Sequence, residues 1–376
     1  MAIEVRQLST KRSDLSRFIK FGIDLYDGNP YFVPPLIWDE IGTLSPTKNP
    51  AFEFCQSAYF MAYRDGKPVG RIAGIINSVV NERTATKTMR FGFCDFIDDD
   101  EVVDALFSAA EKWGKSKGMN AISGPLGFTD MDREGLLIEG FDQVSTMATN
   151  YNHPYYQKQL ERLGFTKEVD WVEFRVKVPE QTPEKMERIS NIVKMRTGVH
   201  VGKFKSIKEV ADKYGEAIFE LINLAYDKLH GYSPLTPRQI QHYIGMYLPI
   251  VRLEQTSLLL DKDEKLVGVG LVMPSLSQAL IKSRGRLFPL GWYHLLKALK
   301  GHNDVVDLLL VAIHPDYQGK GVNALLFSHL VPEFIKSRYL YAESNPELEM
   351  NGRMQSQWEY FDYDQNKRRR LYHKDM

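Results

Sequence analysis

The stretch from Val305 to Phe327 carries the residues best placed to do chemistry. An apolar run, Val305-Val306-Asp307-Leu308-Leu309-Leu310-Val311-Ala312-Ile313, leads through His314-Pro315-Asp316-Tyr317 into Gln318-Gly319-Lys320-Gly321-Val322-Asn323. An apolar helix beginning Ala324-Leu325-Leu326-Phe327 follows. The first turn of a helix has backbone N–H groups without intrahelical partners, and the macrodipole adds about half a positive charge there. Glycines ahead of that turn let the backbone approach an anion with no Cβ in the way. A strand, a glycine loop and a helix N-terminus in this order suit a diphosphate. The other reading is an ordinary glycine turn between packed elements.

The same residues resemble the acyl-CoA-binding core of the GCN5-related N-acetyltransferase (GNAT) superfamily. Its loop reads Gln or Arg, two residues, Gly, one residue, then Gly or Ala, after an aliphatic strand ending in x-Pro. Gln318, Gly321 and Ile313-His314-Pro315 match, while Asn323 stands where Gly or Ala is usual and adds bulk near the pantetheine. The resemblance implies that Val311, Ala312 and Ile313 hold the pantetheine. It implies that Gln318, Gly319, Lys320, Gly321, Val322 and Asn323 receive the pyrophosphate of acetyl-CoA or another acyl-CoA, with Asn351 beside the cofactor. The reaction it implies is direct attack of a neutral amine on the acyl thioester, with no metal. Such a site must polarise the carbonyl, position the amine and accept its proton.

The acid and base are less clearly marked. Many relatives carry a tyrosine seven residues after an asparagine, on the last helix, to protonate the leaving thiolate. Counting from Asn351 gives Trp358, and the nearest hydroxyl is Tyr360; in the first half of the chain, the count back from Gly164 gives Leu160. Glu343 stands at the end of the strand after the candidate cofactor helix, as a base, as a holder of a cationic amine, or as a solvated carboxylate. His314 reads as structural. Lys367-Arg368-Arg369-Arg370 suits an adenosine phosphate or, more simply, the solvated face of a closing strand. Tyr226, His230 and Tyr232 fall where the first helices of the fold shape the acceptor site.

The elements that must position these residues occur twice. Ala58 to Tyr63, a turn at Arg64-Asp65-Gly66, and Lys67 to Ile76 read as a β-hairpin, as do Ser257 to Leu260, a turn at Asp261 to Glu264, and Lys265 to Met273. Lys67-Pro68-Val69-Gly70 and Lys265-Leu266-Val267-Gly268 occupy matching points. A strand and helix precede each hairpin (Ile3 to Leu8 and Leu15 to Leu25; Val199 to Phe204 and Ala217 to Leu229). A strand and apolar helix follow each (Arg90 to Phe96 and Val102 to Trp113; Val305 to Ile313 and Ala324 to Ile335), then a short strand (Asn120 to Ile122; Tyr339 to Ala342). The expected fold is α/β: two tandem GNAT-like domains, each a mixed, mostly antiparallel sheet flanked by helices. The expected boundaries are 1–180, a linker at 181–196 with a short helix, and 197–376.

The halves differ where the phosphate loop would lie. In the first, Asp98-Asp99-Asp100-Glu101 replaces it, and carboxylates there cap a helix and repel a diphosphate. The first domain therefore reads as degenerate for CoA. Its glycine-rich segment from Gly124 to Phe141 is long for a connection, and reads either as packing or as part of the acceptor site. In the second half, an insertion contains Arg284 to Lys300, with Trp292, Leu295, Leu296 and Leu299 on one helical face. It reads as core or interdomain packing, as a cover for an acyl or substrate pocket, or as a membrane-surface contact.

Composition bounds the function. The chain has 376 residues, 43% of them hydrophobic, and 48 basic residues balance 48 acidic ones. Neutrality argues against a nucleic-acid partner. No apolar run approaches the ~18 residues of a membrane span, and Met1 to Arg6 lacks a signal-peptide core, so the cytoplasm is the default. Cys55 and Cys94 lie outside any metal-ligand spacing. The expected function is acyl-CoA-dependent N-acylation, by acetyl-CoA in the first instance, of a small-molecule or peptide amine. The alternatives are a longer acyl donor on the same fold, or a non-catalytic acyl-CoA-binding protein. The oligomeric state is not legible.

Overall fold

A computed structural model describes residues 3–247 and 250–376, without the side chain of Arg353; Met1 and Ala2 lie outside the described residues. The first half of the chain contains β1 (Glu4–Leu8), α1 (Arg12–Asp24), α2 (Ile37–Thr43), β2 (Cys55–Arg64), β3 (Lys67–Asn77), α3 (Ser78–Thr84), β4 (Thr88–Phe96), α4 (Asp100–Ser116), β5 (Ala121–Gly124), β6 (Leu136–Glu139), α5 (Tyr155–Arg162) and β7 (Thr166–Lys177). Then come α6 (Glu184–Thr197), β8 (His200–Val201), α7 (Ile207–Tyr226), α8 (Pro237–Tyr247), β9 (Thr256–Leu260), β10 (Leu266–Pro274), α9 (Ser277–Ser283) and α10 (Gly291–Lys300). The chain closes with β11 (Val305–Ile313), α11 (Val322–Lys336), β12 (Tyr341–Glu343), β13 (Glu347–Leu348), α12 (Gly352–Gln355) and β14 (Tyr363–Asp375).

Two compact units result, and each is threaded discontinuously. The first comprises residues 1–172, 277–295 and 367–376; the second comprises 173–276 and 296–366. Boundaries at 180 and 197 therefore do not delimit the contact units. The segment 181–196, expected as a linker, supplies α6, whose Ser190 hydroxyl lies 2.9 Å from that of Ser328 on α11. The strand order in the first unit is β1-β2-β3-β4-β5-β14, and in the second β7-β12-β11-β10-β9-β8. Each sheet is thus closed by a strand from the other half of the sequence.

Within each unit the hairpins obey their turn chemistry. Asp65 and Gly66, both at positive φ (53° and 78°), join β2 to β3, as an Asp-Gly turn between twisted strands requires. The sheets are antiparallel except at β4/β5 (Thr88↔Ala121) and β11/β12 (Val305↔Tyr341), where a helix makes the crossover. Strand β2 is buried on both faces: Ala58, Phe60 and Ala62 face the cluster around α4, while Tyr59, Met61 and Tyr63 face the one around α1. Gly70 and Gly270 do equivalent work in the two units. A Cβ at Gly70 would lie 2.5 Å from Leu106 of α4, and one at Gly270 would lie 2.7 Å from Leu326 of α11. The crossover helix packs this close because the strand beneath it carries no side chain there.

Candidate functional site

In the second unit β11 pairs with β12 only from Val305↔Tyr341 to Asp307↔Glu343. Beyond Asp307 the two strands no longer pair, and one edge of β11 is left to other partners. The ladder with β10 says which groups use it. The His314 amide donates to Val267 O at 2.9 Å, and the register pairs Val269 with Ala312 and Gly270 with Val311. Antiparallel pairs alternate, so Ala312 turns its backbone groups toward β10, whereas Val311 and Ile313 turn theirs to the open edge. The side chains that meet this edge agree. Asn345 donates to Leu309 O (2.6 Å), the Tyr226 hydroxyl to Val311 O (3.0 Å), and Gln318 Nε2 to Ile313 O (2.9 Å). Of the three strand residues expected to hold pantetheine, Val311 and Ile313 offer backbone groups to the opening; Ala312 does not.

The loop that follows is shaped by two glycines. Gly319 and Gly321 have φ of 72° and 78°, a region costly for residues with a Cβ. Gly321 is the N-cap of α11, which has no side-chain cap and no acidic residue in its first turn. Residues 318–321 are exposed, and no atom lies within 4 Å of where a Cβ on Gly319 would sit. This is an open helix N-terminus reached by bare backbone, a fit for a phosphate group. Lys320 is exposed, its ammonium 5.6 Å from the Tyr317 ring centroid. Val322 is buried and anchors the turn, and Asn323 is half-buried. Gln318 spends its amide on Ile313, so it shapes the loop from within. His314 is structural as well, its Nδ1 accepting from the Asp316 amide.

The equivalent position of the first unit is filled. Asp99 caps α4 by accepting from the Val102 amide (3.2 Å), and Arg64 grips the same carboxylate at 2.8 and 2.9 Å. The Arg64 guanidinium holds the Asp99 carboxyl below its ordinary pKa. Gln159 donates to both Asp98 and Asp100 at 2.9 Å. Carboxylates here satisfy the groups a diphosphate would need.

The expected acid and base residues stand elsewhere. Glu343 is buried, its Oε1 paired with Arg175 and its Oε2 accepting from Asn366 at 3.1 Å. It holds the last paired rung before the strands part and is not a solvated carboxylate. Tyr360 ends a short 3₁₀ turn, half-buried, with the Lys185 ammonium 5.3 Å from its ring centroid. Asn351 caps α12 through the Met354 amide. Tyr232 donates to Asn223 at 2.7 Å, so it braces α7.

A carboxyl that no motif marks interacts with Tyr226, whose hydroxyl meets the open edge. Glu347, two residues beyond Asn345, accepts from the Trp358 indole N–H at 3.1 Å through Oε1. Its Oε2 is buried and has no hydrogen-bond partner among the described residues. Burial pushes this carboxyl from 4.5 up to about 8, against the opposing hydrogen bond from Trp358. Burial likewise raises Tyr226 to about 12, with the Glu347 charge adding to the effect. Trp358, seven residues after Asn351, thus holds Glu347 in place. No spacing in the sequence announces this pair.

In the first unit, residues 124–141 are tied into the fold: Asp132 accepts from the Phe128 and Thr129 amides (2.8 and 3.2 Å), Asn77 donates to Phe128 O (2.9 Å), and the Leu137 amide donates to Asn152 (2.7 Å). The basic run is not a solvated face. Lys367 and Arg369 are buried, and Arg368 and Arg370 both engage Asp170. Among the described residues no group of three or more His, Cys, Asp or Glu could hold a metal. No described helix is long and apolar enough to cross a membrane.

No protein-family profile matches the sequence. The chain is 29% identical over 372 residues to Protein YghO of Escherichia coli (strain K12), covering 97% of this chain and 94% of that protein. It is 26% identical over 293 residues to the bacterial ceramide synthase of Caulobacter vibrioides (strain NA1000 / CB15N), covering 77% and 74%. Among solved structures it is similar to a tandem GNAT protein from the clavulanic acid biosynthesis pathway (TM-score 0.58, 11% identity, 99% of this chain and 98% of that one). It is also similar to a GCN5-related N-acetyltransferase from Sphaerobacter thermophilus (TM-score 0.51, 11% identity, 99% and 95%). At these identities the structures establish the fold.

Proposed function

This chain has the tandem GNAT fold, and we propose that it is an acyl-CoA-dependent N-acyltransferase with one working site, in the second unit. The observation that carries the proposal is the open, glycine-led N-terminus of α11 directly after a strand whose edge is freed from its neighbour. The first unit offers carboxylates at the equivalent helix, which supports a single site per chain.

In this reading the backbone from Gly319 to Asn323 receives the pyrophosphate and the edge groups of Val311 and Ile313 receive the pantetheine arm. Acyl-CoA supplies a thioester activated toward an amine. Tyr226 is a positioning residue, since its hydroxyl fixes the Val311 peptide and so aims the N–H groups of that edge. Glu347 takes the base role expected of Glu343. As the C–N bond forms and the C–S bond breaks, its unpartnered Oε2 accepts the proton of the attacking amine and CoA leaves as the thiolate, which takes its proton from solvent; a pKa near 8 suits proton transfer close to neutrality. Glu343, held by Arg175 and Asn366, keeps the fork between β11 and β12 in place. Asn351 and Tyr360 support the chain around Trp358.

A second reading, a long acyl donor, is favoured by the likeness to a bacterial ceramide synthase. The acceptor would then be a lipid-like amine. Calorimetric titration with acetyl-CoA and with palmitoyl-CoA separates the readings: tighter binding of the short donor supports acetyl transfer, and tighter binding of the long one supports the second. Heat from neither contradicts both.

A further inference from the structure

We infer that the segment from Lys282 to Lys300 docks this protein on the surface of an anionic phospholipid bilayer. The inference rests on the surface of the molecule and is independent of the acyltransferase reading.

A surface helix normally turns polar side chains outward. Here α10 departs from that: besides its lysines, Trp292, Tyr293 and Leu296 are 45%, 50% and 44% exposed. The turn before it adds Phe288 and Leu290, exposed by 76% and 60%. Five large apolar side chains within nine residues are far more than the scattered single exposures of an ordinary surface.

The segment is held in this form. Trp292 donates its amide to Leu287 O (2.8 Å) and its indole N–H to Pro289 O (3.0 Å). At its base, within the first unit, Arg284 pairs with Asp24 and Asp27 (3.1 and 2.7 Å), and Gly285 O accepts from the Ile37 amide (2.8 Å). The apolar residues are therefore held in place by these contacts.

Charge identifies what covers it. The chain as a whole is neutral, yet residues 265–303 contain no Asp or Glu. Lys282, Arg286, Lys297 and Lys300 are exposed around the apolar tip. Aromatic side chains with a polar edge, flanked by lysines whose stems can lie along acyl chains, suit the headgroup boundary of an anionic leaflet. A second copy of the chain would bring the same cations to the contact, so charge opposes self-association here.

The test is flotation of the full chain with vesicles of phosphatidylcholine alone and of phosphatidylcholine with phosphatidylglycerol, at low and high salt. The wild type should float only with the anionic vesicles, and less so at high salt. The double substitution K297A/K300A should weaken partition roughly twenty- to thirty-fold. The triple substitution F288A/L290A/W292A should abolish flotation with little change in melting temperature, since the side chains are largely exposed and only the local Trp292 bond to Pro289 O is lost. Absence of flotation, equal flotation of wild type and both variants, or a dimer that the triple substitution converts to monomer would each overturn the inference.

Discussion

Replacing Glu347 with glutamine removes one titrating proton and little else. The side chain keeps its size, and its amide oxygen can still accept from the Trp358 indole, which stands 3.1 Å from Oε1 in the wild type. The wild-type carboxyl moves from 4.5 to about 8 on folding, driven by burial. At about 1.4 kcal/mol per unit, ionising it in the folded chain costs up to roughly 4–5 kcal/mol, less whatever water reaches the site. The sign follows from the raised pKa. The stabilisation is complete below the unfolded value and is lost as pH climbs through 8. Glutamine does not titrate, so the stability of E347Q relative to wild type should grow with pH by up to about 1.4 kcal/mol per unit and level off above 8. Urea unfolding of both proteins at about pH 5, 7 and 9 measures this directly. The same variant should bind acyl-CoA as wild type does, yet lose roughly 10²–10⁴ in turnover together with the rise of activity toward pH 8. Parallel stability profiles across pH would refute the buried carboxyl. Turnover retained with an unchanged pH profile would refute its role as base.

Other outcomes follow from the same geometry. Gly321→Val places a branched side chain at φ 78° with its Cβ 3.1 Å from Val193. It should cost about 1–2 kcal/mol of stability and at least tenfold in CoA affinity, read by melting and calorimetry. Asp132→Ala orphans the Phe128 and Thr129 amides and should destabilise the protein by roughly 2–4 kcal/mol in denaturant unfolding. Asp170→Ala leaves Lys167, Arg368 and Arg370 without their shared, buried carboxylate, a loss of about 3–5 kcal/mol by the same assay. A fragment starting at Gly198 lacks the end of β7 and all of α6, whereas one spanning 173–366 retains them. Circular dichroism should find only the longer-headed fragment folded.

Much of this architecture is legible in local pattern. The Asp-Gly hairpin, the apolar strand from Val305 to Ile313 and the helix after Gly321 depend on residues near one another in sequence, and each forms where alternation or glycine placement points. The exchange of closing strands is not local. Alternation in β7 and β14 gives each a buried face but does not name its neighbour, and the neighbours lie in the opposite half of the sequence. The same limit governs the site. Glu343 reads as a solvated strand end until Arg175, 168 residues earlier, is placed beside it. Lys367 to Arg370 reads as a solvated cationic strip until Asp170 is brought to it. Glu347 acquires its raised pKa from burial alone, against the hydrogen bond from Trp358, and no motif records that burial.

In this reading the glycine-led start of α11 forms the single acyl-CoA site of the chain, and titration counts it. Calorimetry of the full chain with acetyl-CoA and palmitoyl-CoA, repeated with Gly321→Val, should give one site per chain for the preferred donor in the wild type and strongly weakened binding in the variant. Two equal sites, no heat from either donor, or unaltered binding by Gly321→Val would contradict it.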